Sequence, residues 1–347
     1  MKVVDVKKLT VEYNGRVVGY LAEVDGKIAF QYDLEWQENG FSISPFSLPI
    51  SNKVFVCNKP TFGGLFGVFY DSLPDGWGEL LFRRLLARQG LNADRFSPLT
   101  RLSLVGESGL GALRYEPDYA EMMVSEHFDL DELSREAEAI WKDRDEGVDL
   151  DEIYKLGGSS GGARPKVHLD IRGDHWIVKF PCSFDVPNIG KHEFNANKLA
   201  SKAGIYTNDF KLFPSRKYKG FFGAKRFDYC DGGRVHMISL SSVLETSHRI
   251  PNLDSTPTFC KSLRKFASTR KISTKPLGGC ASTCSSETRT TMARILRFCT
   301  MNLLVATSSR LRTTSRKRPT RRNMKYLSTG TETRPKRIFS PWLKTAN

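Results

Sequence analysis

Residues 156–167 read Leu-Gly-Gly-Ser-Ser-Gly-Gly-Ala-Arg-Pro-Lys-Val, a glycine-rich loop that carries two hydroxyls and two cations. Glycine lets the backbone approach a ligand closely and turn several N–H groups toward one anion, so this loop is suited to bind phosphate. A flexible hairpin loop is the alternative interpretation. The segments that follow the loop favour phosphate binding.

A strand with one lysine comes after the loop and after the β-type residues Val167–Ile171. The run Trp176-Ile177-Val178-Lys179-Phe180-Pro181 predicts a β-strand, in which Lys179 points away from its apolar neighbours. A lone strand lysine usually faces solvent. Behind a phosphate loop, however, it takes the position at which kinases hold the α- and β-phosphates.

A helix is predicted over Lys191–Gly204, with Glu193 near its start. The helix is indicated by apolar residues at helical spacing, namely Ala196, Leu199, Ala200 and Ala203, and by Gly204 as its stop. Glu193 either favours the positive end of the helix dipole or pairs with Lys179 and orients its ammonium toward a nucleotide. A further strand, Gly223–Asp228, is predicted to be the edge that meets adenine through its backbone.

The N-terminal part of the chain is rich in β-type patterns. Lys8–Tyr13 and Val17–Leu21 flank the turn dipeptide Asn14-Gly15 and predict a hairpin, and Lys27–Tyr32 predicts another strand. Helices are predicted over Glu79–Gln89 and over 128–144.

A change of composition near Asp254 divides the chain. The following 93 residues include 29 Ser or Thr and 21 Lys or Arg, but only two acids, Glu287 and Glu332. This tail has a net charge of +19, whereas residues 1–254 carry −4, so the total of +15 reflects the tail alone. The charge is therefore weak evidence for a nucleic-acid-binding face.

Two interpretations of the tail remain open. It is either a disordered basic segment or a segment translated out of frame. When each codon of residues 286–296 is started at the third base of the preceding codon, the permitted product includes Gly-Asn-Thr-Asp-Asp-His-Gly-Lys-Asn-Phe. That string looks like a kinase catalytic loop, which favours a frameshift near residue 255.

The sequence contains no apolar run of 18 residues and no signal-peptide pattern at residues 1–5, so we expect a cytoplasmic protein without a membrane segment. Cys57, Cys182 and Cys230 are widely spaced, fit no metal-ligand pattern and are interpreted as reduced structural thiols.

Several motifs together resemble the HipA family of serine/threonine kinases, the toxins of bacterial toxin–antitoxin pairs. An N-terminal motif, Asp71-Ser72-Leu73-Pro74-Asp75-Gly76-Trp77-Gly78, is similar to that of the family, so the resemblance covers essentially all of residues 1–254. The other matching segments are Gly157–Val167, Trp176–Pro181, His192–Phe194, Lys225–Asp228, Val235–Leu240 and Ser247–Pro251.

The resemblance implies an α+β fold with three parts. Residues 1–110 would form a β-rich N-terminal subdomain, and residues 111–254 a protein-kinase-like nucleotide lobe. The all-helical C-terminal lobe of the family would be degraded or disordered here, because residues 255–347 are the basic tail.

The resemblance also implies ATP and Mg²⁺ as cofactors and a protein substrate such as an aminoacyl-tRNA synthetase. Its expected partners are a HipB-like antitoxin and, through it, operator DNA. Ser159 or Ser160 matches the serine that the family autophosphorylates. The candidate nucleotide-binding residues are Gly158, Ser159, Ser160, Gly161, Gly162, Lys166, Lys179, Glu193, Lys225 and Phe227.

The chain departs from the family in its catalytic residues. The catalytic aspartate and the magnesium-binding Asn and Asp belong to the loop that is recovered only out of frame, and residues 255–347 contain no aspartate. Phosphoryl transfer needs an oriented hydroxyl and a neutralised γ-phosphate, so we expect no activity from this chain. The alternatives are a non-catalytic remnant that binds the antitoxin or its DNA complex and, with less support, a small-molecule kinase.

Overall fold

The structure is a computed structural model. It describes residues 5–106, 109–120, 129–144, 147–158, 162–186, 188–204, 207–230 and 233–247, and the backbone of two strands at 296–299 and 305–307. These residues belong to one compact unit, residues 1–311. Ser159, Ser160, Gly161 and most of the basic tail lie outside the described residues.

A five-stranded antiparallel sheet dominates the N-terminal region. Its strands are β1 (Lys8–Tyr13), β2 (Arg16–Val24), β3 (Lys27–Tyr32), β4 (Phe55–Val56) and β5 (Leu113–Glu116), in the order β4-β3-β2-β1-β5. The predicted hairpin is confirmed, because Asn14 and Gly15 join β1 to β2 with φ angles of 47° and 76°. Positive φ at both turn residues suits the twist of a two-residue hairpin.

Short helices lie between β3 and β5 in the chain. They are α1 (Leu34–Asn39), α2 (Gly67–Tyr70), α3 (Trp77–Arg88) and α4 (Pro98–Leu102), with 3₁₀ turns at Pro60–Phe62 and Ala93–Arg95. Buried side chains of α1, α2, α4 and the first 3₁₀ turn pack into the core of this sheet, whereas those of α3 belong to other buried clusters. The buried core includes Phe30, Trp36 and Phe69, and it also takes in Tyr115, Ile238 and Val243. The N-terminal core therefore draws side chains from well beyond residue 110.

A second sheet carries the lysine strand. Its strands are β6 (Lys166–Ile171), β7 (Asp174–Lys179), β8 (Phe210–Phe213) and β9 (Phe221–Lys225), antiparallel in the order β6-β7-β9-β8. The accompanying helices are α5 (Leu130–Trp141), α6 (Leu150–Gly157) and α7 (Ile189–Lys202). One face of the sheet packs on α3, α5 and α6 through a buried cluster that includes Trp77, Leu81, Ile140, Ile153, Val167 and Val178.

The remaining described elements follow the second sheet. They are β10 (Tyr229–Cys230), β11 (Gly233–Arg234), β12 (Met237–Ser239), α8 (Leu240–Val243), β13 (Leu296–Cys299) and β14 (Val305–Thr307). β12 pairs with β13, which pairs with β14, both antiparallel. These two strands were not expected in a tail predicted to be disordered or out of frame, although the alternation of Leu296 and Phe298 with polar or small neighbours suits a short strand.

A buried carboxylate just after α2 binds the last residue of β12. Asp71 accepts hydrogen bonds from the backbone N–H of Ser239 at 2.6 Å and from its hydroxyl at 2.8 Å. A Cβ on Gly67 would lie 2.6 Å from the Cα of Ser242, so only glycine permits this approach. The Glu245 carboxylate also accepts the N–H of Gly67, at 3.1 Å.

None of the helices in the described ranges is both long and apolar enough to cross a membrane.

Substituting Asp71→Ala should lower the free energy of unfolding by about 2 kcal/mol, because the buried N–H and hydroxyl of Ser239 lose their acceptor. Urea unfolding monitored by tryptophan fluorescence measures the change. Glu38→Ala, which removes an exposed carboxylate from α1, is the control and should stay within about 0.5 kcal/mol of the parent chain. Equal losses in the two variants would contradict the role of Asp71.

Candidate functional site

A buried ion pair joins the lysine strand to α7. The Nζ atom of Lys179 lies 3.1 Å from Oε2 of Glu193 and 3.3 Å from its Oε1. Their side chains are only 17% and 7% exposed, and the ring of Phe222 lies 5.1 Å from the ammonium. Of the two roles considered for Glu193, the structure shows the contact with Lys179, and the carboxylate holds the ammonium in one place.

The helix turns a polar face toward the sheet. Its buried residues are Gly190, Glu193 and Asn197, whereas Leu199 of the predicted apolar stripe is 68% exposed. A Cβ on Gly190 would lie 2.3 Å from the carbonyl oxygen of Gly220, so the glycine lets α7 approach β9 closely. Close packing at Gly190, the ion pair and the edge-on contact of Phe194 with Phe210 of β8 together fix the face that α7 presents to the sheet.

The glycine-rich loop connects α6 to β6, with its two ends described. Gly157 is the last residue of α6, Gly158 follows it, and Gly162 has a φ angle of 85° in the left-handed region. Lys166 is buried, and its ammonium donates to the carbonyls of Gly162 at 3.1 Å and of Arg164 at 2.6 Å. Lys166 therefore fixes the backbone at the C-terminal end of the loop through two hydrogen bonds.

The two predicted lysines lie opposite each other. Lys166 of β6 pairs in register with Lys179 of β7, which in turn pairs with Phe222 of β9. Residues directly opposite in an antiparallel sheet project to the same face. The structure thus brings Gly162, Lys166, Lys179 and Glu193 to one end of one face, beside the glycine-rich loop.

A second buried ion pair supports the loop, and the sequence analysis missed it. Arg164 lies 2.6 Å from Asp185, and their side chains are 12% and 4% exposed. The other oxygen of Asp185 accepts the N–H of Cys182 at 2.9 Å, and Phe180 donates its N–H to the Pro165 carbonyl at 2.9 Å. No regular spacing links these residues in the sequence, so only the fold shows that they meet.

The N-terminal motif also reaches the loop. The carboxylate of Asp75 accepts the N–H of Gly162, and the backbone N–H of Trp77 donates to the Gly162 carbonyl at 3.0 Å. The indole N–H of Trp77 donates to the Lys166 carbonyl, also at 3.0 Å. In the sequence this motif marked only the family resemblance, and nothing in it predicted a position at the site.

Lys225 and Phe227 are placed apart from this group. Lys225 pairs in register with Trp176, three residues along from Lys179, and its ammonium lies 2.5 Å from Asp174 in a partly exposed ion pair. Phe227 packs against the small buried cluster of Leu110, Val235 and Met237. The structure does not bring either side chain to the Lys179–Glu193 pair.

The prediction that Gly223–Asp228 forms an edge strand is wrong. β9 ends at Lys225 and lies between β7 and β8, so the backbone of its residues is paired on both sides. The N–H of Arg226 continues this pairing by donating to the His175 carbonyl at 2.7 Å. An interior strand has no free row of backbone groups to offer to adenine.

A buried charge cluster lies just after β9. Arg226 holds Asp228 through two bonds of 3.0 and 2.6 Å, and Arg234 lies 3.1 Å from the same carboxylate. Asp228 also accepts the N–H of Gly111 at 2.8 Å, and Arg226 donates to the Gly109 carbonyl at 2.8 Å. The cluster thereby ties the second sheet to the segment that precedes β5.

The pKa of Asp228 follows from this environment. Burial acts to raise the pKa of its carboxyl, but the charge and hydrogen bonds of Arg226 outweigh burial and lower the pKa below the ordinary value of 3.8. The stabilising contribution of Asp228 is therefore fully present above that value, and it is lost as the pH falls through the lowered pKa.

Removing Arg226 should lower the free energy of unfolding far more than removing its neighbour Lys225. Arg226→Met leaves Asp228 buried with a weakened set of partners and should lower the free energy of unfolding by about 3–5 kcal/mol. Lys225→Met removes one charge from a partly exposed pair and should cost about 1 kcal/mol or less. Chemical unfolding at pH 7 compares the two, and losses of equal size would contradict the importance of the cluster.

Within the described ranges, no group of three or more His, Cys, Asp or Glu side chains is placed to hold a metal ion. The Glu193 carboxylate is engaged by Lys179.

Comparison with known protein families gives two matches. Residues 9–116 match the HipA N-terminal domain, and residues 158–308 match the HipA-like C-terminal domain. The second match runs past residue 254, where the composition changes. No curated protein matched the chain. The two domain matches, in consecutive parts of the chain, support its assignment to the HipA family.

Proposed function

We propose that this chain is a HipA-like toxin homologue of the serine/threonine kinase type whose second sheet binds ATP. The glycine-rich loop, residues 158–166, would receive the phosphates, and Lys179 would contact them from β7. The observation that carries the proposal is the buried Lys179–Glu193 pair at the end of the strand opposite Lys166.

The Lys179–Glu193 ion pair is suited to bind a polyphosphate. An ammonium held by a single carboxylate remains a donor toward a second anion, and the carboxylate keeps it from swinging into solvent. Such an arrangement is used by kinases to hold the α- and β-phosphates. The family assignment supports the same chemistry, because HipA proteins are generally kinases.

Phosphoryl transfer is proposed to be lost in this chain. The tail after residue 254 lacks aspartate, and its shifted reading permits the catalytic loop that the chain otherwise lacks. We therefore infer a frameshift near residue 255, after which nucleotide binding can persist without transfer.

The partners follow from the family. A HipA-like chain would engage a HipB-like antitoxin and, through it, operator DNA, and an active relative would phosphorylate a protein such as an aminoacyl-tRNA synthetase. Ser159 or Ser160 would be the autophosphorylated residue in an active chain. The second candidate, a remnant that only binds the antitoxin complex, is favoured by the missing catalytic aspartate.

Lys179→Ala should weaken ATP binding by about 10- to 100-fold, because the phosphates lose a charged hydrogen-bond donor worth roughly 1.5–3 kcal/mol. Isothermal titration calorimetry on the full chain measures this. Lys225→Ala is the matched control, since it also removes one strand lysine but one paired with Asp174 away from the loop. Equal ATP affinity in Lys179→Ala and the parent chain would count against the proposed site.

The reading-frame proposal has its own test. Resequencing the gene across codons 250–300, together with the intact mass of the protein expressed from it, should show whether the tail is encoded as written. A confirmed frameshift predicts no transfer of the γ-phosphate from labelled ATP. A corrected sequence that restores the catalytic loop, or transfer by the chain as written, would refute the proposed loss of activity.

A further inference from the structure

We propose that Asp75, Gly76 and Trp77 form a positioning clamp on the glycine-rich loop, so that the N-terminal region sets the affinity of the ATP site. This inference rests on the proposed function. The clamp joins the turn before α3 to the end of the loop at Gly162 and to the first residue of β6, Lys166.

The clamp pairs both backbone groups of one loop residue. Asp75 accepts the N–H of Gly162, while the N–H of Trp77 donates to its carbonyl at 3.0 Å. Because the two partners are separated only by Gly76, a single turn holds Gly162 from both sides. The peptide groups at Gly162 are thereby oriented before any ligand arrives.

The contact leaves no space for larger residues. A Cβ on Gly76 would lie 2.6 Å from the backbone carbon of Gly162, and the φ angle of Gly76 is 51°. At the other end of the loop, a Cβ on Gly157 would lie 2.7 Å from the Lys166 carbonyl and 2.9 Å from the indole nitrogen of Trp77. The turn meets the loop backbone to backbone at Gly76, and at Gly157 the loop approaches the Lys166 carbonyl and the Trp77 side chain.

The tryptophan extends the clamp to the strands. Trp77 is fully buried, and its indole N–H donates to the carbonyl of Lys166 at 3.0 Å. The Lys166 ammonium donates in turn to the Gly162 carbonyl at 3.1 Å, and Lys166 lies opposite Lys179 in the hairpin. The clamp therefore sets the position of the loop end relative to the lysine that we assign to the phosphates.

The physical effect of the clamp is preorganisation. A glycine-rich segment loses much conformational freedom when it becomes ordered, and a loop that must be ordered by its ligand binds that ligand less tightly. Asp75 and Trp77 order the Gly162 end through the protein itself. Since Asp75 accepts the N–H of Gly162, this N–H is engaged by the protein before ATP binds.

The first test is ATP binding by the full chain, measured by titration calorimetry. Asp75→Ala should bind ATP about tenfold more weakly, the effect of losing one hydrogen bond to a charged acceptor. Asp75→Asn keeps an oxygen acceptor for Gly162 and should restore affinity to within about threefold of the parent chain. Asp94→Ala, which removes the exposed partner of Arg83, is the control and should not change affinity.

The second test needs no nucleotide. Backbone hydrogen exchange in the peptide covering residues 157–167 should be faster in Asp75→Ala than in the parent chain, and unchanged in Asp94→Ala. Unchanged exchange in Asp75→Ala overturns the clamp. So does unchanged or tighter ATP binding, because tighter binding means that Asp75 competes with phosphate for the N–H of Gly162.

The two proposals fail in different ways. If the parent chain bound no ATP, the proposed function would fail, and with it the claim that the clamp sets affinity. If the parent chain bound ATP and the Asp75 variants bound it equally well, the clamp alone would fail. A thermal unfolding curve for each variant confirms that weaker binding is measured on folded protein.

Discussion

The buried ion pair of Lys179 and Glu193 constrains how α7 packs against the second sheet. A charge left without a partner in the interior costs several kcal/mol, so the strand and the helix must keep these two groups together. This requirement explains why α7 shows a polar face to the sheet and leaves Leu199 exposed. It also explains the close approach at Gly190, since a side chain there would push Glu193 away from the lysine.

Local patterns in the sequence predicted the parts of the fold that depend on neighbours in the chain. The Asn14-Gly15 turn needs positive φ angles, and the strands beside it follow from that geometry. The pairing of Lys179 with Glu193 was one of two alternatives that the sequence left open for the glutamate, and only the fold shows that the two side chains meet. Ser159 and Ser160 remain expectations, since they lie outside the described residues.

Contacts between distant segments were not predictable in the same way. The interior position of β9 depends on the order in which four strands associate, and no residue in 223–228 encodes that order by itself. The meeting of Asp75 with Gly162 joins residues far apart in the sequence. The motif at residues 71–78 indicated the family, but it predicted neither the contact of Asp75 with Gly162 nor a role for that contact.

The N-terminal core is completed late during synthesis. Ile238 and Val243 pack among side chains from the first strands, and Asp71 stays without its serine partner until residue 239 has left the ribosome. Until then, the nascent N-terminal region carries an open apolar surface. All of these residues precede residue 254, so a shift of the reading frame after that position would leave the residues of the N-terminal core unchanged.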